Sequence, residues 1–139
     1  GARVFVNPLA LIAGTAITAV LIGILVPSLT VGESLAIAGG FGWYSYAPGI
    51  ITASGHEIAG AISFLHNIFR ELLGIALIPF VAKKIGALEA GALPGIAIMD
   101  IALPIYVRST GSEIVAYAFA IGITEEIVTL LATPLIMGM

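Results

Sequence analysis

Long apolar runs, broken by short clusters of glycine, proline and charge, make up nearly the whole chain. Residues 9–29 form the first run, with Arg3 ahead of it and Pro27, Gly32 and Glu33 closing it, which predicts a membrane-spanning helix. The run 35–53 is interrupted by Gly39-Gly40, Gly42 and Pro48-Gly49, and predicts a span with an unwound or kinked middle. Residues 57–82 make the cleanest helix, ending at Lys83-Lys84. The stretch 90–107 is equally apolar, but Pro94-Gly95 and Pro104 argue against a continuous helix. We read it as a broken or re-entrant element that enters and leaves on one side. Residues 113–137 form the last span. The fold class is an all-α integral membrane protein, with about four transmembrane helices plus one Gly/Pro-broken segment, in a single polytopic domain over 1–139.

An internal repeat underlies this layout. A shift of 56 positions superposes Gly39 on Gly95, Pro48 on Pro104, Gly55 on Gly111 and Glu57 on Glu113, and a shift of 55 places Glu71 on Glu126 and Pro79 on Pro134. The unit is a broken segment followed by a helix with an acid near its middle and a late proline. Paired interrupted segments in corresponding positions point to the binding site of a transporter.

Composition sharpens this picture. Only 9% of residues are charged and 60% are hydrophobic, where a soluble domain carries about 25% charged residues. Mean hydropathy is +1.16. The net charge of −3, with no basic run, argues against a nucleic-acid partner. There is no cysteine, so disulfides and thiolate metal sites are excluded. His56 and His66 have no metal-ligand spacing and read as interface or packing residues; no metal and no cofactor is expected. Nor does any nucleophile–base constellation suggest an enzyme. If 90–107 is re-entrant, Lys83, Lys84 and Arg108 share one face, which the positive-inside rule makes cytoplasmic. The location expected is the cell membrane, multi-pass.

Against this background the buried charges carry the chemistry. Glu71 lies deep inside 57–82 and Asp100 inside 90–107; with Arg70 and Glu126 added, four such charges facing lipid would cost on the order of 10 kcal/mol. They must face one another, an ion or a wet cavity. Glu57, Gly60, Ser63, Asn67, Arg70/Glu71 and Gly74 recur at helical spacing on one face, and Asn67 sits one turn before Glu71, placed to hydrogen-bond its carboxylate. Arg70 and Glu71 point about 100° apart on a helix and cannot pair well with each other. Asp100 stands between Pro94 and Pro104, where broken backbone with free polar groups makes a site for a cation or an ammonium. Gly122, Glu126, Thr129 and Thr133 form a matching stripe on the last span. Glu125 and Glu126 cannot both point inward, so one of them is expected at an interface or a partner chain. Trp43, Tyr44, Ser45 and Tyr46 cluster at the glycine-rich break, either as interfacial anchors or, for Tyr44 and Ser45, as pocket lining.

Gly42-Trp43-Tyr44-Ser45, Asn67-x-x-Arg70-Glu71-Leu72-Leu73 ending at Ile78-Pro79, Met99-Asp100-x-x-Leu103-Pro104 and Gly111-Ser112-Glu113 together resemble the lysine exporter family LysO. The matching order runs from about Glu33 to the end of the chain and resembles the C-terminal portion of longer family members. The resemblance implies export of L-lysine through the cytoplasmic membrane against a cation gradient, with the family's two important intramembrane acids falling on Glu71 and Asp100. Ala97 and Ile98 stand where the family usually has Thr-Ser, which removes two hydroxyl ligands. The reading is therefore a transporter that moves L-lysine or a related cationic amino acid out of the cell by alternating access. A proton or Na+ would be the coupling ion, Glu71 and Asp100 would meet the ammonium groups, and Arg70 or a half-helix N-terminus would hold the carboxylate. A cation/proton antiporter, a porter for another small solute and a non-transporting membrane scaffold are the alternatives. In the lipid bilayer a homodimer or a second subunit is expected, because the polar stripes need more protein to cover them.

Overall fold

The computed structural model describes residues 2–138 and is helical, with no strand among the described residues. Three helices are long and apolar enough to cross a membrane: α1 (Arg3–Leu25), α4 (Glu57–Lys84) and α7 (Val115–Ile136), the last led in by a 3-10 turn, Ser112–Ile114. The 28 residues of α4 span about 42 Å, against roughly 30 Å of bilayer hydrocarbon. Between these helices lie short ones: α2 (Val31–Ala38) and α3 (Ala47–Ala53), then α5 (Ala87–Gly91) and α6 (Leu103–Thr110), with a 3-10 turn, Gly95–Met99, between the last two.

The stretch 35–53 is not a kinked crossing but a hairpin. Ser34 Oγ donates to the Ala19 carbonyl at 2.7 Å, so α2 runs back along the C-terminal half of α1. The Ile37 carbonyl reaches Asn67 in the middle of α4, at 3.3 Å. There the chain reverses: Phe41 (φ 45°) and Gly42 (φ 83°) adopt left-handed backbone, which turns the strand of polypeptide around where a kink would only bend it. Helix α3 then returns along α4, so close that a Cβ on Gly60 would meet the Pro48 carbonyl and the Thr52 side chain. His56 Nδ1 closes the hairpin at its base, 2.8 Å from Glu33 Oε1. With 8 and 7 residues, α2 and α3 are roughly 12 and 10 Å long, enough to reach mid-membrane and no further.

The stretch 90–107 doubles back in the same way from the other end. The Leu93-Pro94 backbone packs on Gly74 of α4, and the Tyr106 hydroxyl donates to the Ala87 carbonyl at 2.9 Å, holding the two ends of this hairpin together. Helix α7 then runs toward the Glu33 end: Gly122 packs on Met99, Thr129 reaches Gly39, and Gly32 lies beside Ile136. Thus α1 and α7 are parallel, α4 opposes them, and the two hairpins insert from opposite ends. Each half of the internal repeat is one hairpin plus the long helix after it, and the halves run in opposite directions. Pro48 and Pro104 occupy the same place, the second residue of a returning short helix, where a missing N–H costs no hydrogen bond.

Two apolar clusters flank the hairpin tips. One joins Ile78 and Val81 of α4 to Ile98, Tyr106, Ala118 and Ile121; the other joins Ala36 and Ile37 to Ile51 and Ala59. Outward positions such as Leu65, Phe69, Leu72 and Phe80 on α4 are exposed and apolar, as befits contact with lipid. Arg3, Lys83, Lys84 and Arg108 all fall at the end where the second hairpin enters. Glu33 and His56 mark the other end.

Candidate functional site

The site is built where the two tips meet. Phe41 supplies the join: its carbonyl accepts from the Ile96 N–H at 2.9 Å, one tip bonded to the other through backbone. Gly95 beside it sits at φ 73°, with the Phe41 carbonyl where a Cβ would go, so the approach requires glycine. Asn67 secures the first tip. Fully buried, its Oδ1 accepts from the Gly42 N–H at 2.8 Å, and its Nδ2 donates to the carbonyls of Ile37 at 3.3 Å and Ser63 at 2.8 Å. From α7, the Thr129 hydroxyl donates to the Gly39 carbonyl at 2.7 Å. Carbonyls and N–H groups freed by the break are thereby satisfied inside protein, as backbone at membrane depth requires.

Beside this join opens a cavity of about 380 Å³, lined by Gly42, Trp43, Tyr44 and Ser45 of the first tip, Ala97, Met99, Asp100 and Ile101 of the second, Glu71 of α4 and Glu126 of α7. Five of the residues singled out from sequence therefore come together: Glu71, Asp100, Glu126, Tyr44 and Ser45. The Asp100 carboxylate also accepts from the Ile101 N–H at the start of the returning arm. Trp43 stacks on Tyr46, ring centroids 4.7 Å apart, and the Tyr46 hydroxyl donates to the Leu130 carbonyl at 3.3 Å, so Tyr46 braces the wall from behind. Of the two positions that depart from the family pattern, only Ala97 faces the cavity; Ile98 is wholly buried in the apolar cluster. Three carboxylates, a phenol, a hydroxyl and an indole suit an organic cation, and the volume falls within the range of small-molecule sites.

Two residues expected at the site lie elsewhere. Asn67 spends its amide on the tip and on Ser63, and does not reach the Glu71 carboxylate. Arg70, about 100° around α4 from Glu71, turns to the other side of the first tip. Its guanidinium carbon lies 5.0 Å from the centroid of the Phe41 ring, and Nη2 lies 3.6 Å from Glu125 Oε1. It also lines a second, mainly apolar groove of about 560 Å³ between α1, α2 and α4, together with His66.

Glu125 corrects a further expectation. It and Glu126 both point inward: Glu126 lines the cavity, and Glu125 is 0% exposed against Arg70. The reason is packing. Helix α7 is covered by the 95–99 turn on one side and by α1, α2 and α3 on others, so two directions 100° apart are both interior. The sequence places Glu125 only as one of a pair expected not to face inward together, yet a further signal is present: the repeat shift of 55 that maps Glu71 on Glu126 also maps Arg70 on Glu125.

A family model described as "Lysine exporter LysO" matches residues 1–138. The lysine exporter LysO of Escherichia coli (strain K12) is 34% identical over 102 residues, which is 73% of this chain and 34% of that protein. A putative lysine exporter of Haemophilus influenzae is 32% identical over 110 residues, 79% of this chain and 54% of that protein. The chain thus spans about a third to a half of the length of these curated relatives. No solved structure matches it.

Proposed function

Because the chain belongs to the lysine exporter LysO family, we propose that it forms part of a transporter that carries L-lysine, or a related cationic amino acid, out of the cell across the cytoplasmic membrane. The observation that carries this reading is the convergence of Glu71, Asp100 and Glu126, from both halves of the repeat, on one cavity at the hairpin tips. In this reading the acids receive the two ammonium groups, while Tyr44 and Ser45 give hydrogen bonds that orient the chain between them. Asn67 acts indirectly by holding the first tip. With Arg70 turned away, the substrate carboxylate falls to the N-terminal end of α6, which begins two residues beyond the cavity-lining Ile101. Hairpins entering from opposite ends support alternating access, each tip yielding in turn, with a proton or Na+ as the exchanged cation. The grouping of Arg3, Lys83, Lys84 and Arg108 at one end supports a cytoplasmic location for that end. A homodimer or a second subunit completes the assembly, covering the exposed apolar and small-residue faces of α1.

Flux of radiolabelled lysine into proteoliposomes tests the assignment. Glu71→Gln and Asp100→Asn are each expected to lower it at least tenfold while insertion is kept, since a neutral isostere lowers the insertion cost and removes the charge that the substrate needs. Near-normal flux in both variants would exclude the cavity as the site. A second reading, a porter for another small cation, is favoured by Ala97, an apolar wall where a hydroxyl belongs in the family pattern. Competition of lysine flux by unlabelled diamines and monoamines separates the two.

A further inference from the structure

Across the first tip from the cavity, Arg70 and Glu125 face each other inside the protein. Glu125 has no exposed surface, and neither of its carboxylate oxygens accepts a hydrogen bond. Its nearest cation, Arg70 Nη2, stands at 3.6 Å, beyond hydrogen-bond reach. The Arg70 side chain has an alternative hold, the face of the Phe41 ring at 5.0 Å, and an outlet, the groove it lines with His66 one turn earlier on α4. Buried ion pairs offset their desolvation only with good geometry and further hydrogen bonds to the remaining lone pairs. This pair has neither. An ionised Glu125 is thus held by one loose contact, whereas a protonated Glu125 asks nothing of Arg70 and leaves the guanidinium to the ring and the groove.

We propose that Glu125 is a proton-binding site, loaded when Arg70 swings to the groove and emptied when Arg70 returns. A hydronium ion in the groove gives up its proton: its O–H bond breaks as one O–H bond forms on the Glu125 carboxylate, and after the tips have exchanged access the reverse transfer returns the proton to water on the opposite side of the membrane. The surroundings contain few competing groups. From α4 the charged group facing Glu125 is Arg70, with His66 beyond it; the first tip contributes Phe41, and the Thr129 hydroxyl, one turn on along α7, is spent on the backbone carbonyls of Gly39 and Glu125. Helix α1 carries no ionisable residue after Arg3, α2 has only Glu33 at its far end, α3 has none, and the 95–99 turn has none before Asp100. Glu71, Asp100 and Glu126 lie across the tip in the cavity. Arg70 and Glu125 join α4 to α7, and their chain neighbours Glu71 and Glu126 line the cavity, so movement of the pair is transmitted directly to two of its acids. Resting on the exporter reading, the role follows: the proton at Glu125 is the exchanged cation, held apart from the substrate.

Infrared spectroscopy of the purified full chain in lipid nanodiscs, titrated with pH, reads the proton directly. A carboxylic-acid carbonyl band that fades on alkalinisation is expected in the unaltered protein and lost in Glu125→Gln. Glu125→Asp, which keeps the acid in nearly the same volume, should retain a displaced band, and serves if the glutamine variant fails to fold. Arg70→Gln removes the charge that competes with the proton, and should make the band persist to more alkaline pH. Identical spectra for the unaltered protein and Glu125→Gln at every pH would overturn the proposal. This readout uses no transported solute, so it stands or falls apart from the choice of lysine. In proteoliposomes, Glu125→Gln should lose lysine-driven proton movement while lysine–lysine exchange continues; undiminished proton movement would overturn the coupling role.

Discussion

Asn67 shows how much can hang on one side chain at membrane depth. Its single amide satisfies the Gly42 N–H and the Ile37 carbonyl at the point where helix hydrogen bonds stop. With no water there to take over, Asn67→Ala leaves buried groups without partners, each costing about 1–3 kcal/mol. Its midpoint of thermal unfolding in mild detergent is expected to fall by several degrees, and an unchanged midpoint would show that the tip is held otherwise. Glu71 and Asp100 were legible in the sequence by cost alone, since no apolar stretch carries an acid without a reason. Asn67 was legible as a polar member of the right stripe, but its partner was not, because the hairpin that claims its amide comes from 25 residues away in the chain. Glu125 was legible only through its repeat partner Arg70: a helix at the rim of a bundle is expected to have one inner face, and the packed fold gives α7 two.

At the level of the element, the base of the first hairpin depends on local capping. Thr30 caps α2 reciprocally: its hydroxyl accepts from the Glu33 N–H at 3.1 Å, and its own N–H donates to Glu33 Oε2 at 2.8 Å. The Thr30 backbone bond, with the His56 hydrogen bond next in importance, holds the Glu33 carboxyl below its ordinary value. A depressed carboxyl contributes stability that is fully present at neutral pH and is lost as pH falls through its folded-state value. Acid unfolding of the chain is therefore expected to begin at higher pH than in a Glu33→Gln variant relative to each protein's own neutral stability. Thr30→Ala should cost about 1 kcal/mol. Chemical denaturation followed by circular dichroism at several pH values checks both. The long helices were legible because an apolar run with polar ends leaves a segment one option in lipid, but their bounds less so: α4 begins at the predicted residue and ends two residues late, whereas α1 runs Arg3–Leu25 where 9–29 is expected. The run 35–53 was not legible as a hairpin, since a kinked span and a double-back have the same composition. What decides between them is the left-handed backbone at Phe41, and phenylalanine does not announce such a turn. The repeat did hold the answer, because its two broken segments behave alike.

For the whole molecule, the two inverted halves place the ends of both hairpins. Single-cysteine replacements at Lys83, Arg108 and Glu57, convenient in a chain without native cysteine, should react with an impermeant thiol reagent from opposite sides. Positions 83 and 108 are expected to be protected in intact cells and labelled in inverted vesicles, and position 57 the reverse. Labelling of position 108 from outside would mean that the second hairpin crosses instead of returning.

The contact between the tips also has an electrical meaning. The two hairpin tips meet at the backbone bond from Ile96 to Phe41, with a polar cavity beside it. If water follows the hairpins inward from both faces, the transmembrane potential is dropped across the joined tips instead of across the full hydrocarbon thickness. A charge passing them travels a few ångströms yet experiences nearly the whole field, roughly 2.3 kcal/mol for each elementary charge per 100 mV. In the proposed exporter the tips are then also the place where the voltage acts, so the membrane potential would bear directly on the step in which a cation changes sides.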